Sequence, residues 1–493
     1  MIQNIIYSSL FFFALLFSCF HTETQKTQNT KKTANSEIEQ QIRAVNDSTK
    51  KIYKKGKVRK YEPKSDLSKK KPLKRFATAA DIKLFPATEH EAEKSKLQKY
   101  LETKGSCKDY NMYAPSEKYP EHTPTKYVRV NMHFVNSPKG DMNFSEAEGK
   151  EFAEGLIKSA NWCLRNNKKM NLPIGNNTPA LLPQYQYVLG KHNGDDGIYF
   201  HTTEKYFICN KNNKNSQDPY STYSKWHYDN FGIRKGEVIN IFFLEHPADS
   251  LGSPTYKDKQ AGIGHINWSK ILGAYKVYKD HKAHPTSQET PIKRAIREYD
   301  RFLNHELGHS LGLAHTWRGN DGCEDTPNNP NCWNNNNPPT PQCEVASNNV
   351  MDYNASQSAL TPCQIGKVQY KMIHDERRRN LLWKNWCAYK PEATITIKRG
   401  QKIEWRGAKD LAGDIVIERG GELTIFCTIS MPKNGRIIVH NGGRLILDHA
   451  TITNSCGDKW QGIEVWEQKS SRHKTTIWLK NNSKLENVIN NIL

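Results

Sequence analysis

The stretch HELGHSLGLAH, residues 305–315, places three histidines, one glutamate and two glycines in eleven positions. A helix turns once every 3.6 residues, so His305 and His309 project from one face, one turn apart. Two imidazoles so placed can take adjacent corners of a zinc tetrahedron. Glu306 then lies beside the ion rather than on it, where its carboxylate can take a proton from water. Gly312 can adopt the left-handed conformation that ends a helix and turns the chain. His315 can then return as the third ligand. Three protein ligands leave a fourth position open, as a hydrolytic ion requires and a structural ion does not. The pentapeptide HExxH alone arises by chance, and many buried histidines merely satisfy hydrogen bonds. The longer pattern is more specific because each added position has its own geometric reason.

Downstream lies Asn349-Val350-Met351-Asp352-Tyr353. Met351 alone reads as an ordinary core methionine. Beside the histidine pattern it resembles the Met-turn of metzincin proteases, in which a methionine packs beneath the metal. HELGHSLGLAHTW, Gly322-Cys323, Asp325-Thr326-Pro327 and VMDY together resemble the pappalysin family of metzincins, over roughly residues 126–390. That resemblance implies an α/β (α+β) catalytic domain with a twisted mixed sheet over an active-site helix, a cleft between two subdomains, and endopeptidase activity. It implies His305, His309 and His315 as zinc ligands, Glu306 as general base and Tyr353 as a donor to the oxyanion.

Cys323, Cys332, Cys343 and Cys363 follow the third histidine, around a loop rich in Pro and Asn. Four cysteines allow three pairings; the resemblance implies Cys323–Cys343 and Cys332–Cys363. It also implies calcium near Asp-Thr-Pro, although CEDTP is shorter than the family's stretch, and Glu324 and Asp325 also read as a solvated acidic pair. Cys107 precedes the first strand and has two readings. Its thiolate could latch the open zinc position, or it could lie in a disulfide. Setting Cys19 aside, ten of the eleven cysteines remain, an even number that suits disulfides.

Several elements must position these residues. YVRVNMHFVN (127–136) alternates, with Val128, Val130, Met132 and Phe134 on one face, and predicts a strand. Ser145 and Glu148 form a capping box, and Phe152, Leu156, Ala160 and Cys163 recur at helical spacing behind it. YQYVL and VINIFFL predict further strands. AGIGHINW (261–268) predicts an edge strand, where an extended peptide substrate would pair. QETPIKRAIREYDRFLNHELGHSLG predicts a long helix ending at Gly312.

The rest of the chain differs in texture. Residues 1–19 read as a signal peptide, with an apolar run from about Leu10 to Phe17 too short to span a bilayer. Leu16-Phe17-Ser18-Cys19 resembles a lipobox, so Cys19 is a lipidation candidate and a membrane tether. Export implies a secreted, cell-surface or outer-membrane-associated protein in an oxidising compartment. Residues 20–125 read as a lysine-rich tether or pro-segment, with a short helix across EHEAEKSKLQKYLETKG.

From residue 391 to 493, glycine-flanked β-runs repeat. Asp414-IVIERGGELTI aligns with Arg436-IIVHNGGRLIL at a spacing of 436 − 414 = 22 residues, and TIWLKNNSKLENV (476–488) is a rougher third copy. Such a period predicts an all-β domain, a β-solenoid, with an antiparallel sandwich as the rival. With no capping helix in view, the last coil is expected to be incomplete and to leave Ile477, Leu479 and Leu485 poorly covered.

The net charge of +21 could suit nucleic acid, but no zinc-finger, RRM or basic-zipper pattern accompanies it, so no nucleic-acid partner is expected. The expected partner is a protein or peptide substrate. The rival is a surface adhesion or glycan-binding protein with a degenerate protease domain; the intact ligand set, base and methionine speak against it.

Overall fold

The computed structural model describes residues 72–85, 105–248, 251, 260–317, 319–328, 345–353, 356–383, 388–467 and 473–490. Two short strands come first, β1 (Leu73–Phe76) and β2 (Ile82–Phe85). The histidine-bearing region then contributes β3 (Lys126–Asn136), β4 (Tyr185–Leu189), β5 (Ile198–Thr202), β6 (Ile239–Leu244), β7 (Ala261–Gly264) and β8 (Trp268–Leu272). They form one sheet in the order β4-β3-β6-β8-β7, with β5 also on β3. All pairs are parallel except β7 with β8. β7 therefore closes the sheet as its edge, as its glycine-rich sequence predicts.

The alternation read along β3 marks the face that meets the helices. Val128, Val130, Met132 and Phe134 lie in the main core, while Asn131, His133 and Val135 are buried on the opposite face. A sheet covered on both sides shields both sets. Two long helices cover the first face, Glu146–Arg165 and Pro291–Ser310. Their close approach depends on Gly155, where a Cβ would stand 2.4 Å from Ile296 Cδ1. The Ser145–Glu148 capping box starts the first helix as read from sequence. Sequence reading missed β5, β8 and the helices Ala274–Ala283 and Pro362–His374. The helix expected at 89–105 falls almost entirely outside the described residues. No helix among the described residues is long and apolar enough to cross a membrane.

The C-terminal strands come in threes: β9 (Ile395–Ile397), β10 (Lys402–Trp405) and β11 (Lys409–Asp410); β12 (Ile415–Ile417), β13 (Glu422–Ile425) and β14 (Ile429–Ser430); β15 (Arg436–His440), β16 (Arg444–Asp448) and β17 (Thr451–Thr453); and β18 (Gly462–Glu467), β19 (Thr476–Lys480) and β20 (Lys484–Leu485). Each pairs in parallel with its counterpart three strands on, giving three sheets. Ile415 faces Ile437, an offset of 22 residues, the period read from sequence. Their inward isoleucines, leucines and valines form a second core. The third copy is shifted. TIWLK stacks on β16, not on β15, because GIEVWE, unrecognised in the sequence, takes the place beside β15.

Ile477 and Leu479, expected to be poorly covered, are buried. β2 pairs in parallel with β19, setting Ile82 against Ile477 and Leu84 against Leu479, and both core residues are buried. Leu485 is partly buried against the same core. β1 pairs antiparallel with β18. Residues 72–85, placed by composition in the tether, are thus folded, and so are residues 105–125. Composition cannot reveal strands whose partners lie nearly 400 residues away.

The segment after Gly105 lies between the helix Pro362–His374 and the strand stack. A Cβ on Gly366 would meet Tyr110 O at 2.1 Å, and one on Gly407 would meet Met112 O at 2.3 Å. Buried Lys126 and Asp410 stand 3.7 Å apart, with Arg379 3.0 Å from the same carboxylate. Cys107 is disulfide-bonded to Cys427, which rules out the zinc latch in this structure.

Candidate metal centre

The helix Pro291–Ser310 carries His305, Glu306 and His309, and its end delivers His315. Gly312 has φ +103°, open to glycine and strained for other residues. Gly312 N–H donates to His309 O (3.0 Å) and Leu313 N–H to Gly308 O (2.9 Å), the paired bonds of a Schellman ending. Arg378, largely buried, donates from Nε to Ser310 O at 3.0 Å and satisfies another terminal carbonyl.

The three Nε2 atoms form a triangle with sides of 3.2 Å (His305–His309), 3.1 Å (His309–His315) and 3.3 Å (His305–His315). Zinc–nitrogen bonds of about 2.0–2.1 Å in a tetrahedron set nitrogens roughly 3.3 Å apart, so the donor set fits such an ion. The opposite ring nitrogens fix the tautomer. His305 Nδ1 lies 2.7 Å from Val350 O and His309 Nδ1 3.0 Å from Leu313 O. A carbonyl accepts only, so each Nδ1 carries the proton and each Nε2 keeps its lone pair. Burial, reinforced by the neighbouring imidazoles, pushes His305 down to about 3, and burial also lowers His309.

Glu306 is buried beside the triangle. Its Oε2 has no hydrogen-bond partner among the described residues, and burial pushes its carboxyl up to about 8. Edge strand β7 presses on this part of the helix: a Cβ on Gly264 would meet Glu306 O at 2.0 Å, and one on Gly262 would meet Glu306 Oε1 at 2.8 Å. The glycines of AGIG are what allow this approach.

Met351 is fully buried beneath the helix, and a Cβ on Gly308 would stand 2.6 Å from its sulfur. Tyr353 is about half exposed, its ring 4.7 Å from His315 and 6.0 Å from His305. Sequence reasoning missed three supporting residues. Trp317 stacks on His315 at 4.1 Å and packs against Tyr353 at 4.4 Å. Asp352, wholly buried, accepts hydrogen bonds from Thr316 and Ser347, tying the His315 loop to the methionine turn. Gln357 Nε2 donates to Asp352 O at 2.8 Å and lies 3.1 Å from His305 Nδ1. Trp317 and Asp352 adjoin motif residues, and that adjacency was the available signal. Gln357 offered none.

The implied cysteine pairing is corrected. Cys323 bonds to Cys363; Cys332 and Cys343 lie outside the described residues. Asp325 explains the choice, because it caps the helix Pro362–His374, accepting from Thr361 Oγ1 (2.7 Å) and Cys363 N–H (3.0 Å). That draws Cys363 onto the Cys323 loop. Both Asp325 oxygens hold protein donors. Asp321 likewise accepts from Thr326 Oγ1 and Cys323 N–H. Cys163 and Cys209 are free thiols, so the ten cysteines do not all pair. Cys19 lies outside the described residues.

Residues 251–376, which hold the histidine triangle, Glu306, Met351 and Tyr353, match the model of metallo-peptidase family M12B, reprolysin-like. This match supports a metalloprotease and, with it, a zinc cofactor. Among solved structures the chain is similar to Tannerella forsythia mature mirolysin in complex with a cleaved peptide, at 18% identity and a TM-score of 0.35, covering 52% of this chain and 96% of that one. No curated protein matches.

Proposed function

We propose that this chain is an exported zinc endopeptidase that hydrolyses peptide bonds within proteins. The observation that carries the proposal is the triangle of three lone-pair nitrogens, 3.1–3.3 Å apart, with an unpartnered buried carboxylate oxygen beside it. His305, His309 and His315 would hold the ion. Bound there, zinc would supply Lewis-acid polarisation of the scissile carbonyl and make an attacking water more acidic. Burial raises the Glu306 carboxyl in the absence of an ion, and a cation held by the three histidines would favour its carboxylate form, which would take the proton of that water and pass it to the leaving amine. Tyr353 donates its hydroxyl to the developing oxyanion. An extended substrate adds to the outer edge of β7, which has no strand partner among the described residues. The narrower kinship with pappalysins rests on HELGHSLGLAHTW, Asp325-Thr326-Pro327 and VMDY.

In this reading residues 126–390 are the protease domain and residues 391–493 a β-solenoid, supported by the parallel pairing of every third strand. Residues 1–19 direct export, with Cys19 as a lipid tether.

The test uses casein or gelatin, zinc content and a chelator. Wild-type protein should hold one zinc and lose cleavage when the metal is stripped. Glu306→Gln should keep the zinc and lose about 10²–10⁴-fold in rate, the usual contribution of a positioned acid–base group. Cleavage by Glu306→Gln within a few fold of wild type would remove the assigned role.

A further inference from the structure

The segment Leu73–Phe85 precedes the histidine region in sequence, yet the partners it makes lie at the far end of the chain. β1 runs antiparallel beside β18, and β2 runs parallel beside β19. Backbone bonds continue past the strand ends: Ala77 N–H donates to Ile463 O at 2.8 Å, and Asn481 N–H to Phe85 O at 2.9 Å. Ala77 and Ile82 are buried in the core of the strand stack. The Arg75 guanidinium grips Asp81 through two bonds (2.6 and 2.7 Å) and Glu467 through a third (3.0 Å). Lys74 Nζ stands 3.9 Å above the Trp466 ring, and Phe85 meets Trp478 edge to face at 5.5 Å.

This is strand addition. Two open sheet edges, with the apolar side chains of the last coil beneath them, receive an extended segment that supplies both backbone partners and apolar cover. Farther along the chain, a second and separate attachment fixes Cys107 to Cys427 on the same stack. Neither attachment needs the backbone that joins them.

We infer that Leu73–Phe85 is a docked strand insert that stays on the C-terminal stack by pairing alone. A cut anywhere between Phe85 and Gly105 then gives a two-piece protein rather than release of the N-terminal piece. The stack end is a receptor for one extended segment of defined chemistry: apolar residues at the Ala77 and Ile82 positions, and a guanidinium that meets Glu467. The inference holds whether or not the histidine site is active.

The experiment uses the full chain with a recognition sequence for a site-specific protease inserted between residues 86 and 104. It carries Cys19→Ser, which removes the one cysteine of the N-terminal piece so that no disulfide can hold it. After cutting under native conditions, the N-terminal piece should co-elute with the remainder on gel filtration and separate in denaturant. The same protein carrying Arg75→Glu and Ile82→Asp should lose the piece on cutting. Release from the cut protein without these substitutions overturns the inference. Retention by the doubly substituted protein overturns it as well, because something other than the strands then holds the piece. A readout independent of those substitutions is amide hydrogen exchange on the cut protein. Residues 463–466 and 477–480 should stay as protected as in the uncut chain, and loss of that protection counts against strand docking.

Discussion

In the histidine site the outermost histidines, His305 and His315, lie ten residues apart along the chain, whereas among the described residues no strand of the C-terminal stack pairs with its sequence neighbour. Paired residues there are 20 apart at Ile395 and Ile415, and 32 apart at Arg444 and Thr476. The site is built locally, by one helix and the turn that ends it. The stack is built by distant segments that each contribute a row of apolar side chains. Damage should therefore spread differently. Losing one site residue removes chemistry and leaves the fold, while losing one stack residue loosens the fold and leaves the chemistry.

The largest effect expected from this difference is at His315. His315→Ala removes one of three nitrogens from a triangle whose sides are 3.1–3.3 Å. Zinc retention and cleavage should both fall by more than the roughly 10–100-fold that loss of a ligand's supporting hydrogen bond costs. Thermal unfolding of the stack should be unchanged. Full zinc content and full activity in His315→Ala would place the third ligand elsewhere.

The converse test is Ile437→Ala. Ile437 is fully buried, with Ile415 and Ile463 on either side in register. Truncation should cost about 2–5 kcal/mol through lost burial and a residual cavity, read by denaturant titration. The rate per folded molecule should stay at the wild-type value. A drop in that rate would mean that the stack and the site are coupled through the Cys107–Cys427 segment.

Asp352 sharpens the comparison, because it supports the local site from outside the histidine motif. Its carboxylate takes hydrogen bonds from Thr316 and Ser347. Asp352→Ala leaves both hydroxyls without that acceptor and frees the loop that carries His315. Zinc affinity, measured against a competing chelator, should weaken about 10–100-fold. An unchanged affinity would make Asp352 a packing residue only.

The same contrast explains what could be read from the sequence. His305, Glu306, His309, Gly312 and His315 were legible because helical periodicity and one glycine turn fix their mutual geometry, and Met351 only because its surroundings resemble a Met-turn. The 22-residue repeat was legible because strands paired in parallel three places apart repeat their turns, as at Gly420 and Gly442. The docking of Leu73–Phe85, the shifted place of TIWLK and the Cys323–Cys363 bond were not legible. Each depends on which distant segments meet, and a local pattern carries no record of that. Gln357 reaches His305 for the same reason without any motif to announce it.

The smallest effect expected concerns acid. The sheet of the histidine region holds a second histidine pair, buried His133 and partly buried His201, apart from the 305–309–315 triangle. His133 Nδ1 lies 2.8 Å from His201 Nε2, and His133 Nε2 lies 2.8 Å from Asn240 Oδ1. Tyr199 and Phe242 stack on the His133 ring. Burial, with the neighbouring His201, pushes His133 down to about 3, and burial pushes His201 down to about 4. Both are therefore neutral in the folded protein at pH values where the unfolded chain, with histidine near 6.5, already binds protons. The sign follows: stability is present above about pH 6.5 and is lost as pH falls from there toward the folded values. One unit below 6.5, His133 alone should cost about 1.4 kcal/mol. His133→Phe, which takes the ring partner from His201 and one of two partners from Asn240 Oδ1, should lower stability at pH 7.5 but flatten the decline between pH 7 and 5. Denaturant titrations of wild type and variant across that range measure the slope. Parallel slopes would show that His133 is not the group whose protonation loosens the sheet.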